Sequence, residues 1–216
     1  MSPDSTRSCS VACHGRARRW SRAVPGRARR SSACTSSSRA CAGGEPGILF
    51  TLEETPAQIR AVARSFGWDL APLEAQGHLL ISYTSPVELV TDRFLDEVLR
   101  QIAKVGARRA VLDSLTSMSL GVASQRRFRE LVYALTKHFQ ATGVTPLMTV
   151  EVAELLGTAQ LTGRGVSSIA DNLIVLRYVE VEAHLERAVF VLKARGIGPY
   201  HGALPLRDRG PRGARR

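Results

Sequence analysis

The chain has 216 residues, 44% of them hydrophobic, and a formal net charge of +11; this is length and apolar content enough for one domain with a buried core. The charge belongs to the ends, because residues 1–44 hold nine Arg against Asp4, the last six residues hold Arg212, Arg215 and Arg216, and residues 45–210 are neutral on balance. The high pI therefore does not mark the folded part as a binder of nucleic acid or anionic surfaces, and no apolar run approaches the roughly 18 residues of a membrane span.

Residues 1–44 are dominated by Arg, Ser, Ala, Cys and Gly. They read as a leader that is either disordered or misread, since these residues are what GC-rich coding DNA tends to give out of frame. All four cysteines, Cys9, Cys13, Cys34 and Cys41, fall there, and their spacings, even with His14, match no zinc ribbon or finger. With no cysteine beyond residue 44, folding needs no disulfide, as expected of a cytoplasmic protein. The leader lacks the apolar stretch of a secretory signal. Its Arg and Ser content resembles an organellar transit peptide, but Val11, Trp20 and Val24 are too few for an amphipathic face.

From Glu45 the chain alternates strand and helix. Residues 48–52 form a short apolar run, and Thr55-Pro56-Ala57-Gln58 is a capping box with proline at the first helical position. The helix that follows buries Ile59, Val62, Ala63 and Phe66, spaced i, i+3, i+4, i+7, and stops at Gly67. A strand over 79–83 leads to a helix presenting Leu95, Val98, Leu99 and Ile102 and ending at Gly106. Residues 109–112 form a strand closing on Asp113. Ser124 caps a third helix with Phe128, Leu131, Val132, Leu135 and Phe139 on one face, stopped by Gly143. Residues 144–150 are another strand, 155–168 are loop-rich, and 173–181 with 185–194 read as a hairpin. Strands separated by amphipathic helices predict a mainly parallel sheet covered on both faces, with an antiparallel edge. Residues 45–210 are the domain, and 211–216 a basic tail.

In such a sheet the chemistry sits at the carboxyl ends of the strands. Asp113, after Ala110-Val111-Leu112, has the Walker B arrangement, in which a strand-end carboxylate holds magnesium; the alternative is a cap for the segment 114–118. Glu53 and Glu54 lie between the first strand and the Thr55 cap, where a carboxylate can orient or deprotonate water, or simply suit a helix N-terminus. Lys193 and Arg195 alternate on one strand face and fit either a pair of arginine-finger cations or a solvated edge. What is absent is equally specific. No stretch matches Gly-x-x-x-x-Gly-Lys-Ser/Thr, the loop whose backbone N–H groups close around phosphate. The three lysines, Lys104, Lys137 and Lys193, neither follow a glycine nor precede Ser or Thr.

Residues 47–210 resemble the KaiC family of RecA-like ATPases. Phe50-Thr51-Leu52-Glu53-Glu54-Thr55-Pro56, Ser65-Phe66-Gly67-Trp68-Asp69, Val111-Leu112-Asp113-Ser114, Asp171-Asn172-Leu173-Ile174-Val175-Leu176-Arg177 and Leu192-Lys193-Ala194-Arg195-Gly196 recur in that order and spacing. The likeness starts after the family's first strand, P-loop and first helix, so it implies an α/β, RecA-like three-layer domain incomplete at its N-terminus. It also implies ATP and magnesium as ligands, with Glu53 and Glu54 as the catalytic pair and Asp113 as the metal ligand. Ser65 and Phe66 would contact the nucleotide. Arg187, Lys193 and Arg195 would reach a neighbouring subunit's nucleotide in a hexamer, with Asp208 a late contact. Pro199 replaces a frequent histidine and puts one cross-subunit contact in doubt. Ser167 and Ser168 align with autophosphorylation sites, with Thr162 upstream at another matched position; the alternative is that the two serines only cap a short turn before the strand 173–181.

The resemblance implies a KaiC-like ATPase domain, inactive alone for want of the P-loop, with autokinase activity at those serines open alongside their capping role. Two alternatives stay open: a noncatalytic module in a hexamer of intact relatives, and nucleic-acid binding through the basic tails. If the leader is misread, another frame of the same DNA encodes Gly-x-x-x-x-Gly-Lys-Ser/Thr about 25–35 residues before Gly47, the span of a strand, loop and helix. Sequencing that reads no such motif in either other frame overturns the misreading.

Overall fold

A computed structural model describes residues 8–13, 45–152, 169–181, 184–195 and 204–205. The strands are β1 (Ser8–Cys13), β2 (Gly47–Thr51), β3 (Leu79–Tyr83), β4 (Arg109–Asp113), β5 (Thr145–Val152), β6 (Asn172–Val181), β7 (His184–Ala194) and β8 (Leu204–Pro205). The helices are α1 (Pro56–Ser65), α2 (Ala71–Ala75), α3 (Thr91–Val105), α4 (Leu115–Gly121) and α5 (Gln125–Thr142). One sheet runs in the order β3-β2-β4-β5-β1-β6-β7-β8. β3, β2, β4 and β5 are mutually parallel, whereas β6, β7 and β8 pair antiparallel. This is the predicted α/β class with its antiparallel edge.

The helices form where their termini are satisfied. Thr55 caps α1 through a complete capping box: its hydroxyl accepts from the Gln58 N–H, and Gln58 Oε1 accepts from the Thr55 N–H at 2.9 Å. Ser124 caps α5 by accepting from Arg127 N–H at 3.2 Å. At the other ends, Gly106 (φ 65°) and Gly143 (φ 69°) take the left-handed conformation that closes α3 and α5, a geometry open to glycine without steric cost.

Residues alternating along the strands divide the core in two. Ile48, Phe50, Ala110 and Leu112 face α3 and α5, packing with Phe94, Val98, Phe128, Leu135 and Phe139. Leu49 and Val111 point to the opposite face, against Ile59 and Ala63 of α1. A sheet buried on both sides is what makes these strands read as unbroken apolar runs. α1 and α2 are also tied by paired hydrogen bonds from Arg60 Nε and Nη2 to Glu74, both 2.8 Å.

Two expectations are corrected. The α3 stripe is rotated: Phe94, Val98 and Ile102 are buried, while Leu95 and Leu99 are only half-buried. On α1 only Ile59 and Ala63 are buried; Val62 is half-buried, and Phe66 is the half-buried C-cap, stacked on Trp68 with ring centroids 5.3 Å apart. Residues 8–13 form β1 between β5 and β6, antiparallel to both.

α4 ends tightly against the Pro86–Glu88 turn. A Cβ at Gly121 would lie 2.3 Å from the Pro86 carbonyl oxygen and 2.9 Å from Leu89 Cβ, and a backbone oxygen cannot rotate aside. Gly121→Ala is therefore expected to destabilise the fold by about 1–3 kcal/mol, lowering the thermal midpoint followed by circular dichroism. An unchanged midpoint contradicts the close approach.

Candidate functional site

β2 and β4 are adjacent and parallel, so their carboxyl ends open on the same edge of the sheet. The pairing carries Thr51 opposite Asp113, and the Leu52 N–H donates to the Asp113 carbonyl at 2.8 Å just beyond the ladder. This local register delivers the chain of Glu53 and Glu54 to the end of the strand that bears Asp113. The three predicted acids are thus brought to one edge.

Four hydroxyls brace them. Thr51, 2% exposed, folds the acidic turn: its Oγ1 donates to the Glu54 carbonyl at 2.9 Å and accepts from the Glu54 N–H at 3.1 Å. Glu53 Oε1 accepts from Ser114 Oγ at 2.7 Å and from Ser117 Oγ at 2.6 Å. Both serines are buried, although Glu53 itself is exposed. Asp113, half-buried, accepts through Oδ1 from the fully buried Thr149 hydroxyl on β5. Hydrogen bonds donated to a carboxylate stabilise its ionised form, which favours keeping several like charges on one edge.

Asp113 does not cap α4. The cap is Ser114, whose Oγ accepts from the Ser117 N–H at 3.2 Å. The Asp113–Ser114 peptide is cis. Glu151 adds a fourth acid to this edge; it shares a strand face with Thr149, and its N–H donates to Thr116 Oγ1 at 2.8 Å. Sequence reasoning missed Thr51, Ser114, Ser117, Thr149 and Glu151 as site residues. Their signal was adjacency: Ser114 follows Asp113 directly, Thr51 lies two residues before Glu53, and Glu151 is the penultimate residue of a strand.

The remaining candidates lie elsewhere. Ser65 is exposed on the last turn of α1, with its Oγ donating to the Val62 carbonyl at 2.7 Å. Lys193 Nζ donates to the Ala170 carbonyl at 2.8 Å, and Arg195 Nη1 donates to Asp171 Oδ1 at 2.7 Å, so both cations hold the entry to β6. The register runs Leu112, Met148, Ala12, Leu173, Lys193 across five strands. Lys193 is therefore four strand spacings from the row before Asp113, about 19 Å at the usual spacing. Arg187 lies in β7 opposite Tyr178. Thr162, Ser167, Ser168, Pro199 and Asp208 lie outside the described residues.

Among the described residues no group of three or more His, Cys, Asp or Glu is arranged to hold a metal ion. Magnesium needs none, since it commonly takes one or two carboxylates plus phosphate oxygens and water, and Asp113 offers the hard oxygen it prefers. The polyphosphate is a different matter: neither a glycine-rich phosphate loop nor its lysine occurs in the sequence. No helix among the described residues is long and apolar enough to cross a membrane.

A partly parallel α/β sheet with acids at the carboxyl ends of adjacent strands is consistent with a RecA-like ATPase domain. The chain belongs to the KaiC ATPase family, whose description, ATPase: KaiC, matches residues 37–207. It is similar to the circadian clock oscillator protein KaiC of Nostoc sp., 33% identical over 156 residues, which is 72% of this chain and 30% of that protein. The KaiC proteins of Acaryochloris marina and Synechococcus elongatus are each 33% identical over 157 residues, 73% of this chain and 30% of each relative. The chain thus spans under a third of the length of these relatives.

Proposed function

We propose that this chain supplies the water-activating and metal-binding side of a KaiC-type ATP site, and that by itself it holds ATP too weakly to hydrolyse it. The observation that carries this reading is the delivery of Glu53 and Asp113 to one sheet edge, each carboxylate held by buried hydroxyls. In this reading Glu53 orients a water and takes its proton, Glu54 assists, and Asp113 holds magnesium, which when bound neutralises phosphate charge. Acids alone repel a polyphosphate. The missing donors are those of a phosphate loop, which supplies most of the positioning and charge stabilisation in phosphoryl transfer.

The same reading assigns Ser65 and Phe66 to the nucleotide's surroundings, and Arg187, Lys193, Arg195 and Asp208 to the nucleotide of a neighbouring subunit in a hexamer. The roughly 19 Å separation of Lys193 from its own acid row favours a role across an interface. Ser167 and Ser168 are proposed as acceptors of a phosphoryl group, which would add about −2 charge.

Purified chain 1–216 is expected to release phosphate from ATP at no more than the background rate. Adding a strand–Gly-x-x-x-x-Gly-Lys-Thr–helix segment ahead of Glu45 is expected to confer turnover, and Glu53→Gln in that supplemented chain to lower kcat by about 10²–10⁴-fold. Undiminished turnover by the Glu53→Gln variant overturns the assignment.

A further inference from the structure

We propose that Ser114 and Ser117 are positioning residues that aim the Glu53 carboxylate by holding its Oε1. The inference rests on the proposed role of Glu53 and names the groups that make that role possible.

Glu53 follows its strand on a turn and is exposed, and an exposed glutamate samples several rotamers. Here two donors converge on one oxygen, Ser114 Oγ at 2.7 Å and Ser117 Oγ at 2.6 Å, from side chains that are 0% and 7% exposed as residues. Each hydroxyl has a single proton. Ser114 spends its donor on Glu53 and its acceptor on the Ser117 N–H at 3.2 Å, so the 3.3 Å separation between the two serine oxygens is the weaker contact. Ser117 likewise directs its proton to Glu53. Both serines sit at the start of α4, a helix fixed at its other end by the Gly121–Pro86 approach. The carboxylate is thereby referenced to the same segment that follows Asp113, which locks the spacing between the two acids.

The two serines are not equivalent. Ser114 is also the helix cap, and its loss removes a cap as well as an aim. Ser117 Oγ has no part in capping, and alanine is a better helix former than serine. Ser117→Ala therefore removes the positioning bond while leaving the cap intact, and Ser117→Thr restores a hydroxyl.

The test uses the full chain without nucleotide. A water-soluble carbodiimide with an amine nucleophile labels carboxyl groups according to their freedom and protonation, and peptide mass spectrometry reads Glu53 against Glu54 as an internal reference. Ser117→Ala is expected to raise the Glu53 to Glu54 labelling ratio about threefold or more, because the carboxylate loses a stabilising donor, and Ser117→Thr to return it to the wild-type ratio. An equal ratio in all three proteins overturns the proposal. In the P-loop-supplemented chain, Ser117→Ala is expected to lower kcat about tenfold with KM for ATP unchanged, as loss of orientation rather than of binding. If Glu53→Gln abolishes turnover there while Ser117→Ala leaves kcat intact, the positioning role falls and the role of Glu53 stands. If Glu53→Gln itself leaves turnover intact, the proposed function falls, and the labelling ratio still decides whether the serines hold the carboxylate.

Discussion

Carboxylates converge at the carboxyl edge of this parallel sheet, and the hydroxyls of Thr51, Ser114, Ser117 and Thr149 are what hold that edge in order. Each does so from a buried position, and each donates. A buried hydroxyl with no partner costs roughly 1–3 kcal/mol, so Glu53 and Asp113 satisfy the hydroxyls of Ser114, Ser117 and Thr149 as much as those hydroxyls orient the acids, while Thr51 is satisfied by the Glu54 backbone. The geometry upstream serves this arrangement. β2 and β4 must be adjacent and in the register that sets Thr51 against Asp113, and α4 must begin at Ser114. A shift of one residue in that register would turn the core-facing side chains of β2 to the wrong face.

The other half of the sheet obeys a different logic. β5 and β6 both run antiparallel to β1 and so parallel to each other, with β1 between them. A sheet that is parallel from β3 to β5 thus reverses twice around one strand. The cations of the KaiC-like Lys193-Ala194-Arg195 segment lie beyond that reversal, tied to Ala170 and Asp171 at the start of β6. The acid edge and the Lys193–Arg195 cations are separate features of one sheet, about 19 Å apart at the usual strand spacing.

Much of this was legible in the residues. The Thr55 capping box, the Ser124 cap and the closing glycines 106 and 143 carry local chemistry that tertiary packing did not need to correct. The apolar runs of β2 and β4 announced strands buried on both faces. Other features were not legible, for physical reasons. Phe94 and Leu95 are adjacent apolar residues, and only the packing of α3 against the sheet decides which one is buried. Phe66 fits a helical series by spacing, but α1 ends at Ser65 and leaves its ring to Trp68. Ser117 is an ordinary helix residue until the fold places it 2.6 Å from a glutamate 64 positions away. β1 lies in a segment whose composition carries no strand period, so its pairing is a property of the sheet rather than of the leader.

The central claim is that the acid edge is built and braced while the phosphate grip is missing. Isothermal titration of magnesium and ATP into the full 216-residue chain tests it most directly, because it reads binding without requiring turnover. The account predicts no saturable heat at micromolar concentrations, since the acids and magnesium alone do not retain a polyphosphate against water. A stoichiometric isotherm with micromolar affinity for the monomeric chain would contradict it and require a phosphate site built from residues other than a P-loop.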